Sequence, residues 1–125
     1  MKDDLKVALH SFNNALTSLE QGLKEAKREL EKDGVIQRFE FTFELMWKSL
    51  KIFLYDEGIE CKSPRDCLRK AFKYGIIKNE EIVLDMLIDR NNSTHIYNKD
   101  ESEEIFQRIK SDYITELKKI YKKIK

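Results

Sequence analysis

The apolar positions in the first thirty residues fall on one line. Leu5, Leu9, Phe12, Leu16, Leu19, Leu23, Ala26 and Leu30 follow alternating steps of four and three, with lysine and glutamate on the other faces. The spacing predicts one amphipathic helix of about 28 residues. Lys32, followed by Gly34, places its end there. A stripe this narrow suits packing against one or two neighbouring helices, most simply in a long helical hairpin.

From Val35 to Glu57 the pattern changes. Val35, Ile36, Phe39, Phe41, Phe43, Leu45, Met46, Trp47, Leu50, Ile52, Phe53 and Leu54 cover nearly every face, and Gly58 marks the stop. A helix apolar all round is either central in a bundle or covered on its second side by another copy, so a homodimer is expected. Ser63 and Pro64 then read as the N-cap and first turn of a short helix, with Leu68, Ala71 and Phe72 inward and Gly75 at its end. A fourth helix runs from about Asn79 to Asp89, with Ile82, Val83, Met86 and Leu87 inward. Arg90 to Lys99 reads as a connection, because Asn91, Asn92, Ser93 and Thr94 compete with helical hydrogen bonding. Asp100 with Glu103 resembles a capping box, and Ile105, Ile109, Tyr113, Leu117, Ile120 and Ile124 line the last helix. Neither a strand signal nor a repeat is visible. The expected fold is an all-α antiparallel bundle of about five helices, three long and two short, in a single domain over residues 1–125.

Composition narrows the classes. In 125 residues, 41% hydrophobic and 38% charged, there is enough apolar material for one core and too much for a disordered chain. Four glycines and one proline argue against a turn-rich sandwich. With 24 basic and 23 acidic side chains the net charge is +1, so bulk charge does not signal nucleic-acid binding. The densest apolar stretch, Phe39 to Leu54, is broken by Glu40, Glu44, Lys48 and Lys51, so no membrane span is expected. Met1-Lys2-Asp3-Asp4 lacks the apolar core of a signal peptide, which makes a cytoplasmic location the expectation. Cys61 and Cys67 with two histidines cannot complete a zinc site, and both are expected as small buried or half-buried thiols. No metal or cofactor is expected.

The chemistry concentrates between Asp89 and Asn98. Arg90 offers a planar cationic fork for phosphate, and His95 can exchange a proton near neutral pH. Together they would permit metal-free RNA cleavage, with histidine moving the proton and arginine stabilising the phosphorane. The plain alternative is a polar loop in which Arg90 pairs with Asp85 or Asp89. Glu44 and Lys48 sit one turn apart on the crowded second helix, either as a solvated pair or as the lining of a groove. Trp47 with Phe43 could stack a base, although core packing also explains both. The five lysines from Lys118 to Lys125 read as a solvated helix end or as an RNA-facing patch.

Arg90, His95 and Tyr97 resemble the signature of the HEPT superfamily: an arginine, a histidine a few residues on, and a tyrosine two later. The run Gln37 to Lys51 resembles the second helix of its nucleotidyltransferase substrate-binding branch. Ser63-Pro64-Arg65, Ala71-Phe72 with Gly75-Ile76-Ile77, and Asp89-Arg90-Asn91 before His95, Tyr97 and Asn98 are similar to it in the same order. The resemblance covers almost the whole chain, with Ile96 where threonine would be usual. It implies a partner of a separately encoded minimal nucleotidyltransferase, and a dimeric ribonuclease toxin neutralised by adenylylation. On that reading Arg90 and His95 are catalytic and Tyr97 is the modified side chain. Apart from the resemblance, Glu44, Trp47, Lys48, Asn91 and Asn98 are candidates for binding substrate or forming an interface. The older sense of the family, a non-catalytic subunit binding substrate or nucleotide for the transferase, fits the same residues.

Overall fold

A computed structural model describes residues 2–93 and 98–125 of the chain. The described residues form helices without strands: α1 (Asp3–Glu25), α2 (Glu29–Asp56), α3 (Pro64–Tyr74), α4 (Glu80–Asn92), and a last rod of α5 (Lys99–Arg108), a π turn (Ile109–Tyr113) and α6 (Ile114–Ile124). Counted as rods there are five, three long and two short, and the all-α bundle stands as read from the sequence. α2 is the centre. Phe39, Phe43, Met46, Leu50 and Leu54 are fully buried along it, against Phe12 and Leu19 of α1, Leu68 of α3, Met86 of α4 and Ile109.

The long first helix is shorter than its stripe implied. α1 ends at Glu25, Ala26 is extended (φ −69°, ψ 123°), and α2 starts after Arg28. The turn uses neither glycine nor proline. The Glu31 carboxylate accepts the backbone N–H groups of Arg28 (2.8 Å) and Lys27 (3.1 Å), supplying partners that the new helix start would otherwise lack. Leu30, predicted to be inward on the first helix, lies 76% exposed on α2, and Gly34 sits inside a helix rather than after one. At Phe72, predicted inward, the ring is 39% exposed.

Other boundaries follow their local chemistry. The Ser63 side chain accepts from the Asp66 N–H, Pro64 opens α3, and Gly75 closes it at φ 95°. Asn79 caps α4 by accepting the N–H of Ile82. α4 continues through Arg90, Asn91 and Asn92, so these belong to its last turn rather than to a connection, and the Ser93 hydroxyl donates to the Arg90 carbonyl (2.8 Å). The last rod starts with Asn98, whose side chain accepts from the Glu101 N–H, rather than with an Asp100–Glu103 box. Glu103 pairs instead with Lys32 of α2 (3.0 Å).

The inner residues Ile105, Ile109, Tyr113 and Leu117 are spaced strictly by four. In an α-helix each such step turns the face by about 40°. The π turn at Ile109–Tyr113 winds more loosely and returns Tyr113 and Leu117 to the core side.

The cysteines correct the sequence reading. Cys61 and Cys67 form a disulfide, and no described cysteine is free. Ser63 and Pro64 start α3 between them, which turns the chain back and brings their Cα atoms to 5.1 Å, both side chains buried. Among the described residues no helix is long and apolar enough to cross a membrane.

A Cβ at Gly34 meets nothing within 4 Å. Replacing a helical glycine by alanine removes unfolded-chain entropy, so Gly34→Ala should stabilise the fold by about 0.5–1 kcal/mol, read as a higher midpoint in urea with an unchanged slope.

Candidate functional site

Two neighbouring residues at the end of α4 reach in different directions. Asp89 is buried at 8% exposure; Arg108 of α5 grips its carboxylate at both oxygens, Nε at 2.7 Å and a terminal nitrogen at 3.0 Å. The Tyr113 hydroxyl from the π turn donates to the same carboxylate at 2.5 Å. Burial, then the bond to Asp89 and its charge, push the Tyr113 hydroxyl well above the ordinary tyrosine range, so it stays a donor. The Asp89 hydrogen bonds likewise raise Arg108, which stays charged. The Tyr113 ring stacks on Phe39 of α2, centroids 5.4 Å apart. Sequence spacing gave no signal for this cluster, since its members lie 19 and 24 residues apart.

Arg90 turns the other way, towards α2. Its guanidinium meets Glu44 Oε2 at 2.6 Å, and its other terminal nitrogen donates to Asn91 Oδ1 at 3.2 Å. The Trp47 indole N–H also donates to Glu44 Oε2 (3.0 Å), while Lys48 Nζ lies 3.4 Å from Oε1. Burial alone would raise the Glu44 carboxyl. The Trp47 hydrogen bond, the Arg90 charge and Lys48 outweigh it, so Glu44 is held below the usual carboxylate range.

The structure therefore gathers five predicted residues, Arg90, Asn91, Glu44, Trp47 and Lys48, into one cluster. It corrects the partner of Arg90, which is Glu44 rather than Asp85 or Asp89: Asp89 is occupied by Arg108 and Tyr113, and Asp85 is exposed. Phe43 is fully buried and cannot stack a base, while Trp47 is half-buried with its N–H engaged. The Asn98 side chain serves as the α5 cap. His95 and Tyr97 lie outside the described residues. Chemically the cluster is one carboxylate under two cations, with a surplus of one positive charge. An anion can gain Arg90's fork only in competition with Glu44. Among the described residues no group of three or more metal-ligating side chains is present.

Residues 7–125 match the model of a family described as nucleotidyltransferase substrate binding protein like. Among solved structures, a Thermus thermophilus protein is similar at 32% identity and TM-score 0.85, over 91% of this chain and 98% of that one. A Haemophilus influenzae protein, described as revealing the fold of a substrate binding domain of a nucleotidyltransferase, shares the fold at TM-score 0.79 and 22% identity, over 93% and 98% of the two chains. No curated protein matches the chain.

Two results are expected from this geometry. Asp89→Asn, which weakens a doubly bonded charged pair, should cost about 2 kcal/mol in chemical unfolding. The depressed Glu44 contributes stability that is complete above the ordinary value of 4.5 and is lost as pH falls through its lower folded value. Glu44→Gln should therefore lower stability at neutral pH and flatten its decline in acid, as read from urea midpoints across that range.

Proposed function

The chain belongs to the nucleotidyltransferase-substrate-binding-protein-like family, and from that premise we propose that it is the non-catalytic binding subunit of a separately encoded nucleotidyltransferase. The single observation that carries this reading over catalysis is the 2.6 Å pair between Arg90 and Glu44. A guanidinium that must stabilise a phosphorane serves best when open to the phosphate. Here it is neutralised, braced by Trp47 and Lys48 on the same carboxylate, and set at the foot of the segment that carries His95 and Tyr97. Such an arrangement supports holding and orienting a segment or ligand for another protein's chemistry. The second copy expected from the apolar girth of α2 belongs to the same proposal: Leu30, Phe41 and Tyr55 of that helix remain more than half exposed. Light scattering of the purified chain reads it directly.

The second reading is the ribonuclease toxin. The spacing of Arg90, His95 and Tyr97 favours it, with Glu44 displaced when phosphate binds. Adenylylation would then join the Tyr97 oxygen to the α-phosphorus of ATP and release pyrophosphate.

One experiment separates them. The chain is expressed alone and with a minimal nucleotidyltransferase from the same organism, beside Arg90→Ala and His95→Ala, with folding checked by circular dichroism. The binding subunit predicts undisturbed growth, intact RNA and co-purification with the transferase. Growth arrest and RNA cleavage lost in both folded variants, with rescue by a transferase that adds adenylate at Tyr97, would establish the toxin instead.

A further inference from the structure

The lysines near the end of α6 are not all a solvated tail. Lys118 pairs with Glu20 of α1, and Lys125 lies 5.7 Å from the Tyr121 ring centroid. Lys119, Lys122 and Lys123 have a different setting. With Lys78, from the connection between α3 and α4, they surround a cavity of about 550 Å³ walled by Ile76 and Ile82. This volume lies within the range of small-molecule sites.

Glu116 also lines the cavity and is only 5% exposed. Among the described residues its carboxylate makes neither a hydrogen bond nor an ion pair, and no fully enclosed side-chain oxygen or nitrogen lacks a partner. Its oxygens are therefore not fully enclosed, and the residue lines the cavity. Packing does not ask for a carboxylate here. The adjacent Leu117, with Tyr113, Ile120 and Ile124, carries the inner face of the rod, so the core is complete without Glu116. None of the four surrounding lysines forms an ion pair among the described residues, although Lys119 is only three positions from Glu116.

We propose that this cavity binds a small phosphate monoester whose body carries hydroxyl or amino donors, such as a nucleoside monophosphate. Four lysines less one glutamate leave three positive charges, suited to a phosphate dianion. Glu116 accepts hydrogen bonds only, so it takes the hydroxyl or amino donors and repels a bare anion. Ile76 and Ile82 offer an apolar surface to a sugar or base. The site lies on α6, the α3–α4 connection and the first turn of α4, shares no residue with the Arg90 cluster, and needs no transferase to be occupied.

Titration calorimetry of the full chain with AMP, ribose 5-phosphate and inorganic phosphate tests the proposal. One ester molecule per chain should bind, with inorganic phosphate about tenfold weaker or more. Lys119→Ala/Lys122→Ala, confined to exposed side chains, should weaken ester binding by about tenfold. Glu116→Gln, with its fold verified by thermal melting, should weaken the esters about fivefold without weakening inorganic phosphate. Amide resonances of residues 76–82 and of α6 should move on titration with AMP. Absence of ester binding at millimolar concentration would overturn the proposal. So would equal binding of all three phosphates with no response to Glu116→Gln, the behaviour of a lysine patch that takes any anion.

Discussion

The buried carboxylate of Asp89 is the constraint on which the arrangement of the second half of the chain depends. One side chain near the end of α4 accepts from Arg108 of α5 and from Tyr113 of the π turn, and the Tyr113 ring in turn stacks on Phe39 at the centre of α2. Three rods thus meet at a polar point inside an otherwise apolar bundle. Hydrophobic burial alone would let α4 slide or rotate against its neighbours at modest cost, because apolar contact is not directional. A carboxylate with three directed donors removes that freedom: any rotation of α4 leaves a desolvated charge short of partners. The π turn belongs to the same device. It keeps a four-residue spacing on one face and brings the Tyr113 hydroxyl to Asp89.

The position of Arg90 follows. Successive helical residues point about 100° apart, so fixing Asp89 towards α5 turns Arg90 away from it and towards α2. There Glu44 receives it, together with the Trp47 indole and Lys48. The candidate site is therefore attached to the core through its nearest neighbour in sequence. Asp89 and Tyr113 are buried, with Arg108 reaching in from the surface, whereas both members of the Arg90–Glu44 pair are partly open, so the two carboxylates differ in role: one fixes the frame and the other holds a side chain that a ligand could compete for.

Local chemistry was legible in the sequence wherever one short segment decides the outcome. Ser63, Pro64 and Gly75 announce α3 because each terminal N–H or left-handed φ needs a particular residue within four positions. The inner stripe from Ile105 to Ile124 was legible for the same reason, while the meeting of Glu44, Trp47 and Lys48 with Arg90, 46 positions away from Glu44 in sequence, appears only in the packed structure. What failed was decided by distant or alternative partners. The α1–α2 turn carries no breaker residue; Glu31 makes it by accepting two backbone N–H groups, while the leucine pattern runs through unbroken to Leu30. Asp89 and Arg90 are adjacent, and only the packed structure shows that their partners lie in separate helices. Cys61 and Cys67 are joined because a helix starts between them, which the spacing alone does not reveal.

The treatment of polar groups then distinguishes framework from function. Thr42 and Ser49 are buried on α2, yet their hydroxyls donate to backbone carbonyls one turn earlier, so their burial needs no further account. Asp89 is explained by Arg108 and Tyr113. Arg90 is explained, at the expense of its availability, by Glu44. Glu116 differs from all of these: it is as buried as the framework groups and has no protein partner among the described residues, in a cavity surrounded by lysines that are likewise unpaired there. A helix optimised for packing would place an aliphatic side chain there and gain stability. Retaining a carboxylate leaves a free acceptor beside unpaired cations, a combination whose complement is a molecule carrying both donors and an anion. By the same electrostatic reasoning that makes Arg90 a restrained cation, the Glu116 cavity is a second place in this bundle where chemistry from outside the chain fits.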